Sequence, residues 1–262
     1  MSSGVAARLM GMDGPRFSRV ERGYYRVSRD EVLDLCAKLG IEDPEGVEEV
    51  ARVAEEPTGA GWWAPYVGRI GQNYLDFIEL ESEATDIRIH HPVIVPGPLQ
   101  SPGYVREMIT RALTTVSKAQ AEALVNVRIA RQEVLTRTDG PVRFHALVPE
   151  SSFHAKFTSG PALMKDQLRR LLDVSDMPNV TLQIIPLTAH PTYGAGGSIT
   201  LLGFRHPWAP VASIDNPLGG THTEDPDQVE LLKREFQGIA SVALPVDKSR
   251  DVLNEHLEGL HK

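Results

Sequence analysis

The 262-residue sequence predicts an α/β fold of the α+β kind: a small, incomplete all-α head, then a mixed sheet with helices packed on it. Three observations predict it. In residues 1–40, apolar side chains recur at helical spacing between glycines. Beyond residue 61, helical runs alternate with short runs of β-branched residues. A Pro-Thr-Gly-Ala-Gly stretch at 57–61 separates the two. The expected organisation is therefore a head over 1–40, an acidic helix and linker over 41–61, and a large domain over 62–262.

The head reads as helix, turn, helix, connection, helix. Val5, Leu9 and Met12 recur at near-helical spacing, and Gly11 breaks that helix. Asp13 can cap the next one, Pro15 fits its first turn, and Phe17 with Val20 forms its apolar side before Gly23 stops it. Ser28-Arg29-Asp30-Glu31 is a capping box for a third helix with Val32, Leu35, Cys36 and Leu39 on one face. Cys36 is accordingly expected in the core. Residues 42–56 form an acidic amphipathic helix with Val47, Val50, Ala51 and Ala54 on one side, read as a solvated spacer.

In the large domain, helical periodicity runs through residues 104–113, 117–135, with Ser117 and Gln120 as a capping box, and 161–174. Strand patterns occupy 142–148, 181–187, 198–204 and 211–214. Asp225-Pro226-Asp227-Gln228 opens a helix with Val229, Leu232, Phe236, Ile239 and Ala243 on one stripe, stopped before Pro245. A last helix over 250–260 carries Leu253, Leu257 and Leu260. Trp62 and Trp63 are expected to seal the packing of helices on the sheet.

Composition narrows the function. Hydrophobic residues at 41% and charged residues at 24% exclude wholesale disorder. One cysteine excludes an internal disulfide, and no apolar run approaches the ~18–20 residues of a membrane span. The N-terminus has no apolar stretch behind a basic start, so a cytoplasmic protein is expected, with no membrane partner.

A net charge of −8 argues against nucleic acid until it is divided along the chain. Residues 1–40 carry seven Lys/Arg and five Asp/Glu, and residues 41–60 carry one and seven. The acidity thus lies in the connector, while Arg16, Arg19, Arg22, Arg26 and Arg29 fall within fourteen residues of the head. Such a cluster suits phosphate contacts.

Ala7-x-x-Met10-Gly11 followed by Phe17-Ser18-Arg19-x-Glu21-x-Gly23 resembles helices two and three of the phage-repressor-like (XRE) helix-turn-helix domain. The resemblance implies that the helix after the glycine turn enters the major groove of double-stranded DNA. Arg16 and Arg19 would be groove and backbone contacts, Ser18 a phosphate contact, and Arg22 and Arg26 flanking phosphate contacts. Glu21 would brace the helix. The family's first helix is expected upstream of these residues, leaving this head partial, and Gly14 and Pro15 stand where the family usually places polar base readers.

In the large domain, Tyr74-Leu75-x-Phe77-Ile78-x-Leu80-Glu81-x-Glu83-Ala84 and Ile94-Val95-Pro96-Gly97-Pro98-Leu99-Gln100-Ser101, together with Glu150, stand out. They resemble the C-terminal domain, DUF5753, of actinobacterial helix-turn-helix regulators. Arg128-x-x-Arg131-Gln132-x-Val134-Leu135, Gln167-Leu168 and Pro178-Asn179-Val180 extend the resemblance over about two hundred residues. It implies a homodimeric transcription regulator of secondary metabolism that senses a small partner protein of the DUF397 type, or a small-molecule ligand.

Catalytic signatures are missing: there is no Gly-x-Ser-x-Gly, His-Glu-x-x-His, Cys-x-x-Cys or Gly-Lys-Ser. No cofactor and no metal is expected, and Gly194-Ala195-Gly196-Gly197 precedes a strand, as a hairpin entry would. Nine histidines remain. His145 and His154 flank Glu150, His90-His91 adjoins the Val-Pro-Gly turn, and His190 and His222 lie in loops after strands. The second functional class is therefore a decayed DNA-binding head on a metabolite-binding protein or biosynthetic enzyme. Glu150, His154, His145 and Asp215 would then be its acid–base groups or ligands.

Overall fold

The computed structural model describes residues 3–21, 27–55, 61–112, 117–138, 140–215 and 220–260. The chain divides into two compact units, Met1–Ala60 with His206–Trp208, and Gly61–Arg205 with Ala209–Lys262.

The first unit is helical: α1 (Ser3–Leu9), α2 (Gly14–Glu21), α3 (Arg29–Leu39) and α4 (Pro44–Glu55). Gly11 turns the chain at φ 63°, a conformation that glycine adopts without a Cβ clash. Asp13 caps α2 by accepting the Arg16 N–H at 2.7 Å. The seam between α1 and α2 is made by Ala6, Ala7, Met12 and Phe17, all buried, with Val20 and Val27 against them. Val5, read as an inward residue, is instead exposed, because Ala6 and Ala7 take the inner face.

Ser28 and Glu31 form the expected capping box at the start of α3. Cys36 is only half-buried and Leu39 is exposed, since Val32 alone of that face is fully covered. The acidic helix α4 is no free spacer. It packs along α3 on Ala51, and the Arg29 guanidinium holds Glu48 at 2.6 and 2.8 Å.

The second unit is a six-stranded mixed sheet in the order β3-β2-β1-β4-β5-β6. Its strands are β1 (Asp86–His90), β2 (Arg143–Pro149), β3 (Val180–Ile185), β4 (Ile199–Gly203), β5 (Val211–Ile214) and β6 (Thr221–Thr223). β1, β2 and β3 run parallel, and β4, β5 and β6 continue antiparallel from β1. Four of the strands lie where periodicity placed them. The central strand β1 and the edge strand β6 were not foreseen.

The α-helices of this unit are α5 (Gln72–Glu83), α6 (Pro102–Arg111), α7 (Lys118–Ala130), α8 (Pro161–Ser175), α9 (Pro226–Val242) and α10 (Val246–Gly259); α8 and α10 pack on one face of the sheet and α9 on the other. Alternation along each strand decides which face a residue meets. Ile87, Ile89, Phe144, Ala146, Val148, Leu182 and Ile184 pack with Leu168 and Leu171 of α8 and Leu253 of α10. Leu147, Ile185, Ile199, Leu201 and Ala212 pack with Val229, Phe236 and Ile239 of α9.

Pro245 precedes α10, so that helix starts at Val246, earlier than its apolar stripe indicates. The 117–135 helical run is α7 followed by a 3₁₀ turn, Arg131–Leu135, in which Arg131 swings into the core. Trp63 packs with Ile70, Leu75 and Ile78 in a side cluster, while Trp62 stands against it edge-on and exposed. Among the described residues, no helix is long and apolar enough to cross a membrane.

Candidate functional site

Strand β2 ends at Pro149, beside the end of the parallel strand β3 at Ile185. The carboxyl ends of parallel strands are where open α/β sheets place ligands, because the chain must leave the sheet there and opens a crevice. Here the chain leaves in a 3₁₀ turn, Glu150–His154, and Glu150 and His154 line a cavity of about 670 Å³. The last turn of α10 lines it too and contributes His256.

These three side chains meet. His256 Nε2 lies 3.0 Å from Glu150 Oε1, and the ring of His154 stands 5.1 Å from that of His256 at 83°. One donor atom from each of Glu150, His154 and His256 lies within 4.8 Å of the other two. The second carboxylate oxygen of Glu150 accepts the Leu187 N–H at 3.0 Å, which fixes the group in orientation. Burial pushes the Glu150 carboxyl up, but the Leu187 N–H and the two imidazoles outweigh it and hold it below the usual carboxylate range. An ionised acid beside two imidazoles can bind a metal, bind a cationic group, or pass a proton.

The rest of the cavity mixes charge and apolar surface. Lys156 and Glu255 line it with Phe153, Phe157, Met164, Leu168 and Leu260. Its volume lies in the range of small-molecule sites, and its walls mix apolar with charged groups.

Of the residues singled out from sequence, Glu150 and His154 are thus brought together, and two others are not. His145 lies on the opposite face of the sheet, because its side chain alternates with those of Phe144 and Ala146. There its Nε2 pairs with Gln183 Oε1 at 2.8 Å and its ring meets Phe236 edge-on at 5.2 Å. Asp215 follows β5, is exposed, and is tied by its own N–H to Ser198 Oγ at 2.8 Å.

His256 was missed, although one signal was legible. It sits three residues after Leu253 and four before Leu260, so it interrupts the apolar stripe of α10 with an imidazole.

Three of the other histidines, His90, His91 and His222, make local contacts. His90 is 2% exposed, with Nδ1 3.2 Å from Leu147 O, and burial pushes its pKa down so that it stays neutral. His91 Nδ1 accepts the N–H groups of Val93 and Ile94, closing the turn after β1. His222 pairs with Ser213 Oγ and stacks over Phe77. The glycine-rich stretch is a turn before β4, with Gly194 at φ 82° and Gly197 at φ 105°.

In the head, Arg16 lies on α2 with Nη2 3.3 Å from Glu31 Oε1, and Ser18 is half-buried on the same helix. Arg22 and Arg26 lie outside the described residues, as does the side chain of Arg19.

The motifs of the large domain prove architectural. Arg131 holds Glu81 by two bonds, Gln132 Nε2 donates to Gln100 O at 2.7 Å, and Gln167 bridges Ser101 N and Leu99 O. Asn179 Nδ2 donates to the carbonyls of Leu135 and Val142. Gln132 and Gln167 fasten the segment before α6 to the 3₁₀ turn after α7 and to α8, Arg131 ties that turn to α5, and Asn179 ties its end to the approach of β3.

No curated protein and no solved structure matches the chain. Residues 74–255 match the family described as Domain of unknown function (DUF5753), a span that begins at the Tyr74 touched by Arg131 and ends beside His256. Since that match covers well over half of the 262 residues, the chain belongs to the DUF5753 family.

Proposed function

We propose that this protein is a DNA-binding transcriptional regulator of the phage-repressor-like (XRE) class, whose DUF5753 domain dimerises and receives a small molecule in the cavity at Glu150. The observation that carries the reading is the pair α1 and α2: two short helices joined at Gly11 and pinned through Ala7, Met12 and Phe17, with Arg16 and Ser18 on the second. A short helix presented this way suits the major groove, and two copies in a dimer supply the contacts one cannot. Arg16, Ser18 and Arg19 are the assigned contacts on that helix, and Arg22 and Arg26 the flanking ones.

The cavity favours a metabolite over a DUF397-type protein as the signal, because it is concave, partly apolar and of small-molecule size. The test is selection from a randomised duplex pool by the full chain. Enrichment of a two-fold symmetric motif supports the reading, and no enrichment above a bead-only control rejects it.

The contact of Glu150 with His256 favours a second reading, an enzyme acting on a metabolite in the same cavity. Ligand turnover without any DNA enrichment would establish it over the first.

A further inference from the structure

We propose that Glu150, His154 and His256 bind one divalent transition-metal ion of the zinc class, with its remaining coordination open to the cavity. The site goes beyond the regulatory reading and stands on the large domain alone. Two imidazoles and a carboxylate form a borderline N₂O donor set, which suits zinc and its neighbours better than calcium or magnesium, whose ligands are all oxygen.

The geometry is close to what such an ion requires. At bonds of about 2.0–2.2 Å, tetrahedral ligand atoms stand roughly 3.3 Å apart. His256 Nε2 and Glu150 Oε1 are at 3.0 Å, and the most distant pair of the three donors needs to close from at most 4.8 Å. His154 is the exposed member and ends a single 3₁₀ turn, so a side-chain rotation brings it in without moving the sheet. One outer-shell contact is in place: the Leu187 N–H holds Glu150 Oε2, the oxygen not paired with His256.

Three protein ligands leave a position for water or for a ligand oxygen. Phe157, Met164 and Leu168 line the same cavity, and the apolar part of a small anionic metabolite would rest against them.

The experiment is calorimetric titration of Zn²⁺ into the chelator-treated full chain, with Co²⁺ absorption reporting the ligand set. The wild type is expected to bind one equivalent, and the Co²⁺ form to develop the intense visible bands of a low-coordinate N/O site. His154→Ala should bind at least ~100-fold more weakly, since loss of an outer-shell partner alone costs 10–100-fold. His154 is exposed, so this variant should keep the metal-free melting temperature of the wild type; Glu150→Gln gives an isosteric second check. His145→Ala, on the opposite face of the sheet, should bind as the wild type does. Absence of stoichiometric Zn²⁺ binding by the wild type overturns the proposal, as does undiminished binding by both His154→Ala and Glu150→Gln.

Discussion

Arg131 and Glu81 form a two-pronged ion pair, Nε–Oε2 at 2.6 Å and Nη2–Oε1 at 2.7 Å, with only 7% and 2% of the two side chains exposed. The guanidinium lies 4.9 Å from the centre of the Phe77 ring and donates to the Tyr74 hydroxyl at 2.7 Å. Burial works against the charge on Arg131, but Glu81 and Tyr74 more than offset it and raise its pKa. The pair joins α5 to the 3₁₀ turn after α7, two segments about fifty residues apart in sequence.

Removing one partner leaves a buried charge uncompensated. Glu81→Ala is expected to cost about 3–5 kcal/mol in urea unfolding of the large domain. A double replacement, Glu81→Leu with Arg131→Met, is expected to cost much less than the sum of the singles, because no charge is then stranded. Additive losses would show that the pair acts only through its packing.

Gly194 lies at φ 82°, and a Cβ there would stand 2.7 Å from His90 Nε2. Gly194→Ala is expected to destabilise by about 1–3 kcal/mol, from the left-handed backbone and the clash together. Only the clash is relieved by trimming the histidine. Gly194→Ala measured on a His90→Ala background should therefore cost less than on the wild type, by a coupling of at least about 0.5 kcal/mol.

Buried His90 also makes stability depend on pH. Burial pushes its pKa below the ordinary histidine value, against the opposing pulls of the Leu147 carbonyl and of Glu235 on α9. Above about pH 6.5 both folded and unfolded states are neutral at this site, and nothing is lost. As pH falls through about 6.5, the unfolded chain takes the proton first, so stability declines toward the lower folded value. His90→Gln should lack that part of the decline. The difference between wild-type and variant urea midpoints, taken over a pH series, isolates it from the same-signed contribution of His145.

The fold was largely legible where periodicity was long. The stripe Val229, Phe236 and Ile239 gave α9, and Met164, Leu168 and Leu171 gave α8, because three or more turns repeat one face. β1 escaped because it is five residues, with Asp86, Arg88 and His90 alternating with Ile87 and Ile89, and so reads as a charged loop. Yet it is central, and Ile87 is fully buried.

The site was legible by half. Glu150 and His154 share one turn and stand together, whereas His145 is near them only in sequence and the strand's pleat sends it to the other face. His256 comes from 106 residues away, a distance only the sheet and α10 can close. Most of the motifs that carry the family resemblance bind the scaffold together, while Leu168 of the Gln167-Leu168 motif also lines the cavity.

The central claim is that residues on α2 hold DNA, and titration of duplex DNA with the full chain at a series of salt concentrations tests it most directly. The account expects log K to fall steeply with log salt, and Arg16→Ala with Arg19→Ala to weaken binding at least tenfold and flatten the slope by about one per lost phosphate contact. Equal affinity and slope for the wild type and the double variant would contradict it.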